Sequence, residues 1–141
     1  MMAAANVKEA VPYFRVRDMK ASLAFYVEGL GFEIDTRWDD RGVLRWCSLK
    51  LGGATLRLQQ FKPKGQDAWV AAVPVGEWVT IYFPCEDATV VWTEANARGL
   101  DAAPPEVANG MWLAGFDDPD GYRLEFESPT DAPEDSVFGE D

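Results

Sequence analysis

The sequence predicts an α+β fold built from two pseudosymmetric βαβββ modules. Three observations carry that expectation. The chain runs strand, Asp-capped helix and three strands, and then runs the same course again. The two capping aspartates, Asp18 and Asp87, differ by 69 in number. Gly53 and Gly121, each opening the final strand of its half, differ by 68. The repeat is one of structure, and each half alone would leave one face of its sheet uncovered, so the halves are expected to curve around a shared cleft.

The elements follow in order. Val11-Pro-Tyr-Phe-Arg-Val-Arg-Asp18 alternates sides as a strand does, and Asp18 can cap a helix whose apolar positions Met19, Leu23, Tyr26 and Leu30 recur at helical spacing. Gly29 and Gly31 supply its end. Strands are expected at 32–38, 43–51 and 54–61, parted by turns at 39–42 and Gly52-Gly53. The second half offers a strand at 78–85, the cap Asp87 and a helix with Ala88, Val91, Trp92 and Ala95 on one face. Strands at 101–103, 110–117 and 122–128 complete it, the last two joined by the turn Asp118-Pro-Asp-Gly121. The expected organisation is one domain over 1–130, made of modules 8–62 and 76–128, with a loose acidic tail at 131–141.

Composition narrows the chemistry. The 141 residues include no histidine, the side chain that titrates nearest neutral pH and the commonest ligand for transition metals. A formal net charge of −11 opposes nucleic acid and anionic membranes and accepts a neutral or cationic small molecule. Cys47 and Cys85 stand far apart in no metal-type spacing, as reduced thiols of a cytoplasmic protein do, and with no histidine neither has a base to activate it. The first ten residues hold no apolar signal core, and no run approaches the roughly 18 apolar residues of a membrane span.

Ala10-Val-Pro-Tyr-Phe-Arg-Val-Arg-Asp18, the helix with Ser22, Phe25 and Tyr26, Gly29-Leu-Gly-Phe32, Leu56-Arg-Leu-Gln-Gln60 and Asp117-Asp-Pro-Asp-Gly-Tyr-Arg-Leu-Glu125 resemble the vicinal oxygen chelate superfamily. That is the glyoxalase, bleomycin-resistance and extradiol dioxygenase group, and the likeness is nearest to its metal-free bleomycin-resistance-like members. The resemblance covers about residues 8–128 and implies a concave, half-barrel-like sheet that holds a ligand, often in a homodimer. It also implies four cleft positions that bind a divalent ion in the metal-dependent relatives. Matched residue by residue, those positions are Val11, Arg57, Thr80 and Glu125. Val11 has no donor, Thr80 offers a weakly coordinating hydroxyl and Arg57 keeps its proton, so no metal and no other cofactor is expected.

Alternation places Val11, Tyr13 and Arg15 on one face of the first strand and groups Thr55, Arg57 and Gln59, Thr80 and Tyr82, and Arg123, Glu125 and Glu127 with them. An Arg57–Glu125 ion pair is expected where the metal would have been, with Arg123 and Glu127 nearby. Trp46 and Trp112, at comparable places in the two halves, are the expected pocket walls. The ligand-binding set is therefore Tyr13, Trp46, Arg57, Gln59, Thr80, Tyr82, Trp112, Arg123 and Glu125. The loop at 60–76 could cover the cleft, swap between subunits or simply link the modules. Beside a purely structural or protein-interaction module whose cleft is filled by its own side chains, two functions stay open. One is a metal-independent dimer that sequesters a planar, cationic compound, as in drug resistance. The other is a glyoxalase- or dioxygenase-like enzyme, with an oxygen-only metal site rebuilt from Glu125, Glu127 and Gln59 or with Glu125 as a metal-free base.

Overall fold

Each module begins with the same local device. In the computed structural model, which describes residues 3–61 and 75–140, β1 (Tyr13–Val16) gives way to α2 (Met19–Leu23) at Asp18, after a short α1 (Ala3–Asn6). The Asp18 carboxylate accepts the backbone N–H of Lys20 at 3.0 Å and of Ala21 at 3.4 Å, which satisfies donors that a helix start leaves without partners. Between β5 (Thr80–Pro84) and α3 (Ala88–Ala97), Asp87 repeats the role for the Thr89 N–H at 2.9 Å.

The first helix differs from the simple periodic expectation. From Ala24 to Gly29 it widens into a π-helical turn, and this stretch buries Phe25 and Tyr26. The wide turn sits where the helix meets the second module: a side chain at Gly29 would overlap Leu100. Glycine is what lets the two approach so closely.

After it come β2 (Glu33–Asp40), β3 (Val43–Leu51) and β4 (Ala54–Gln60), and after α3 come β6 (Glu106–Ala108), β7 (Met111–Asp117) and β8 (Arg123–Pro129). The strands form two open four-stranded sheets, ordered β1-β4-β3-β2 and β5-β8-β7-β6, each with one parallel pair among antiparallel ones. Registers match across the repeat. Tyr13 lies opposite Arg57 in the first sheet, and their counterparts Tyr82 and Glu125, 69 and 68 residues on, lie opposite each other in the second.

One strand lies elsewhere than expected. Residues 101–105 form none, because Pro104 and Pro105 have no N–H to give and two nearby carbonyls are already engaged. Ala102 O accepts the Trp92 indole N–H at 3.0 Å, and Pro105 O accepts the Phe138 N–H at 2.9 Å. Pairing starts only at Glu106.

The alternation is as expected: Phe14, Val16, Leu56, Leu58, Phe83, Leu124 and Phe126 are buried, whereas Tyr13, Arg57 and Tyr82 are exposed. The buried faces of both sheets share one core with Tyr26, Phe32 and Ala95. Rings meet across the modules, Phe14 stacking on Tyr122 at 4.1 Å and Phe32 meeting Phe83 edge-on at 6.4 Å. Among the described residues, α2 and α3 pack on the buried side with this core.

The C-terminal stretch, expected to be loose, is docked along β6. Val107 N–H donates to Ser136 O, Asp135 N–H donates to Val107 O, and both Glu134 carboxylate oxygens accept the Asn109 N–H. Phe138 packs edge-on against Trp92 at 6.1 Å and Trp112 at 5.9 Å. Backbone pairing with β6 and the packing of Phe138 override the acidic composition. The linker at 60–76 lies mostly outside the described residues. No helix among the described residues is long and apolar enough to cross a membrane.

Candidate functional site

The uncovered faces of the two sheets have opposite character. On the first, Tyr13, Arg15, Arg57, Gln59, Trp46 and Trp38 stand together, in register through the pairs Tyr13↔Arg57, Trp46↔Gln59 and Trp38↔Trp46. The Tyr13 hydroxyl donates to Gln59 Oε1 at 2.6 Å, and the Arg15 guanidinium lies 4.6 Å from the centre of the Phe61 ring. This face is aromatic and basic.

The second face is acidic. The pairs Tyr82↔Glu125, Gly115↔Glu125, Leu113↔Glu127 and Asp117↔Arg123 place three carboxylates and one guanidinium side by side, with Thr80 opposite Arg123 at the margin. Arg123 holds Glu125 Oε1 at 3.2 Å and Asp117 Oδ2 at 3.3 Å. The Tyr82 hydroxyl, facing the Glu125 carboxylate, has its pKa raised by that hydrogen bond and by the negative charge.

This arrangement corrects two expectations. No ion pair joins Arg57 to Glu125 among the described residues; Glu125 is taken by Arg123, two positions along the same strand and on the same face. Trp112 is not a wall of the open face. Its register opposite Ser128 puts it on the covered side, against Phe138 and the core. The alternation of Trp112, Ala114 and Phe116 along β7 carried that signal in the sequence. Tyr13, Trp46, Arg57 and Gln59 gather on the first sheet, and Thr80, Tyr82, Arg123 and Glu125 on the second. Among the described residues no side-chain hydrogen bond or ion pair links the two groups.

A cavity of about 570 Å³ opens where β7 runs on past the end of β6, leaving one edge from Ala114 to Asp117 without a neighbouring strand among the described residues. Its lining is mixed: Phe25, Leu100, Leu113 and Phe116 contribute apolar atoms, and Arg123 and Glu125 reach it from β8. Its volume suits a drug-sized molecule. Gly115 at its floor was not anticipated as a site residue, although a glycine inside a strand often marks a close approach. A second space of about 930 Å³ lies between the modules, with Pro12, Leu30 and Thr55 on one side and Ile81, Phe83 and Val91 on the other. Of the sequence-derived set it takes in only Tyr82.

The four positions that hold a metal in related folds do not fit one here. Val11 has no donor atom, Thr80 has only a hydroxyl, Arg57 is a fixed cation and Glu125 is already engaged. A guanidinium about 4 Å from a dication would be repelled by roughly 4 kcal/mol per unit charge at an effective dielectric of 20. Among the described residues, no three acidic, cysteine or histidine side chains are grouped to hold a metal ion. Neither thiol offers a reactive alternative: burial pushes Cys47 up to about 11, and burial also raises Cys85.

Solved structures with this fold include TioX from Micromonospora sp. ML1, at 18% identity and a TM-score of 0.68, covering 87% of this chain and 99% of that one. TnmS3, an antibiotic binding protein from Streptomyces sp. CB03234, is similar at 22% identity and a TM-score of 0.62 over 92% and 100% of the two chains. A bleomycin-binding protein complexed with bleomycin is similar at 23% identity and a TM-score of 0.60 over 86% and 98%. No curated protein is significantly similar in sequence. Residues 8–126, which take in both modules almost entirely, match the family described as the glyoxalase/bleomycin resistance protein/dioxygenase superfamily, and the chain belongs to that superfamily.

Proposed function

We propose that this protein binds a planar, cationic small molecule and holds it chemically unchanged, without a metal ion, as a cytoplasmic homodimer. The observation that carries the reading is the cavity beside β7, whose mixed lining sets apolar side chains such as Leu100 and Leu113 beside the carboxylates of Asp117 and Glu125. Apolar side chains favour a flat organic body and the carboxylates favour a positive group on it. The donor chemistry at Val11, Arg57, Thr80 and Glu125 supports independence from metal. The similar fold of a protein complexed with bleomycin supports sequestration.

The enzyme alternatives draw less support. Gln59 sits on the other sheet, bonded to Tyr13, away from Glu125 and Glu127. A Glu125 base would first have to leave Arg123. The homodimer reading rests on the opposite charges of the open faces, since the basic face of one copy would be attracted to the acidic face of another.

Titration with a panel of planar cations, followed by tryptophan fluorescence, tests the reading: saturable quenching at one site per chain is expected. No saturable change with any compound would defeat it. Elemental analysis of the purified protein should find less than one divalent ion per chain, and a stoichiometric, tightly held ion would refute the metal-free part. Sedimentation should give the mass of two chains.

A further inference from the structure

Arg123 lines the cavity beside Gly115. Its guanidinium bridges Glu125 Oε1 and Asp117 Oδ2, and it rests so closely on Gly115 that a methyl group at that position would overlap it. Gly115 has no left-handed backbone conformation to explain a glycine in mid-strand. What it provides is room for the guanidinium. Among the described residues, the cavity lining holds this cation and five carboxylates, those of Asp101, Glu106, Asp117, Glu125 and Asp135.

We propose that Arg123 is an internal counter-cation, holding the place that the positive group of a ligand takes on binding. The inference rests on the binding function proposed above and names its specificity element. A flat amidinium or guanidinium on the ligand meets the same two carboxylates in the same fork geometry. Arg123 then swings out toward solvent, for which its side chain, already 34% exposed, needs little rearrangement. A neutral ligand of the same shape gains nothing from the exchange. Arg123 thus sets a threshold: it partly neutralises the acidic floor and favours ligands that replace its charge.

The test compares naphthamidine with its neutral isostere naphthamide at physiological ionic strength, by calorimetry and tryptophan fluorescence. Arg123→Gln should bind naphthamidine about tenfold or more tightly than the unaltered protein, the scale of one charge-assisted pair no longer contested. Naphthamide affinity should be unchanged. Arg123→Lys, whose single ammonium cannot span both carboxylates, should fall between and covers the case in which Gln impairs folding. Arg41→Gln, at the exposed β2–β3 turn, changes net charge equally and should leave naphthamidine binding as it was.

An equal gain in Arg41→Gln would overturn the proposal in favour of bulk charge. A loss of naphthamidine affinity in Arg123→Gln would overturn it by making Arg123 a direct ligand contact. Binding of naphthamide with no gain for naphthamidine would overturn this inference and leave the binding function standing. Absence of saturable binding of either compound to any variant would overturn both.

Discussion

The Tyr26 hydroxyl donates to Asp118 Oδ2 at 2.8 Å, joining the first module's helix to the β7–β8 turn of the second, 92 residues away. Asp118 is 5% exposed, and its other oxygen accepts the N–H groups of Asp120 and Tyr122. Around this bond the Tyr122 hydroxyl donates to Arg15 O, and the Tyr122 ring stacks on Phe14. The modules are therefore fastened by a small polar knot set in aromatic rings. Tyr26→Phe leaves a buried carboxylate oxygen without its donor, at a cost of about 1–3 kcal/mol. Urea denaturation should read that loss in the midpoint, with the slope unchanged.

The same site predicts a pH dependence. Burial raises the Asp118 pKa, with the Tyr26, Tyr122 and Asp120 hydrogen bonds opposing the rise, and burial also raises Asp120. A carboxyl whose folded pKa lies above its unfolded value makes the fold more stable as pH falls through the folded value, with the gain complete below the unfolded value of about 3.9. Asp118→Asn removes that titration. The stability of the unaltered protein relative to the Asn variant should therefore grow between neutral pH and pH of about 4, and urea midpoints measured across that range will check it.

Docking of the C-terminal segment makes Phe138 a stability determinant. Phe138→Ala strips the ring that packs on Trp92 and Trp112 and should cost about 1–3 kcal/mol, less than a fully buried phenylalanine because the site is half open. Tryptophan emission should shift to the red as water reaches both indoles. An unchanged spectrum and midpoint would mean that the segment contributes nothing to the fold.

Arg57 offers the contrast. It is exposed and makes no ion pair among the described residues, so Arg57→Ala should change stability by no more than about 0.5 kcal/mol. Glu125→Ala leaves Arg123 with Asp117 alone and should weaken naphthamidine binding while the protein remains folded. Thermal unfolding and calorimetry on both variants separate the two roles.

What the sequence by itself determined was local. Strand alternation assigned Leu56, Leu58, Leu124 and Phe126 inward and Tyr13, Arg57 and Tyr82 outward, because side-chain direction has a period of two wherever the backbone is extended. Asp18 and Asp87 marked both helix starts, because a cap acts within three residues. The offsets of 69 and 68 reappear as matching strand registers. Tertiary structure decided what depends on contacts between distant segments. It set Arg57 and Glu125 on separate sheets, drew an acidic tail onto β6 so that Phe138 meets Trp92 and Trp112, and closed Tyr26 on Asp118. Those outcomes turn on which segments meet, and neither composition nor periodicity carries that information.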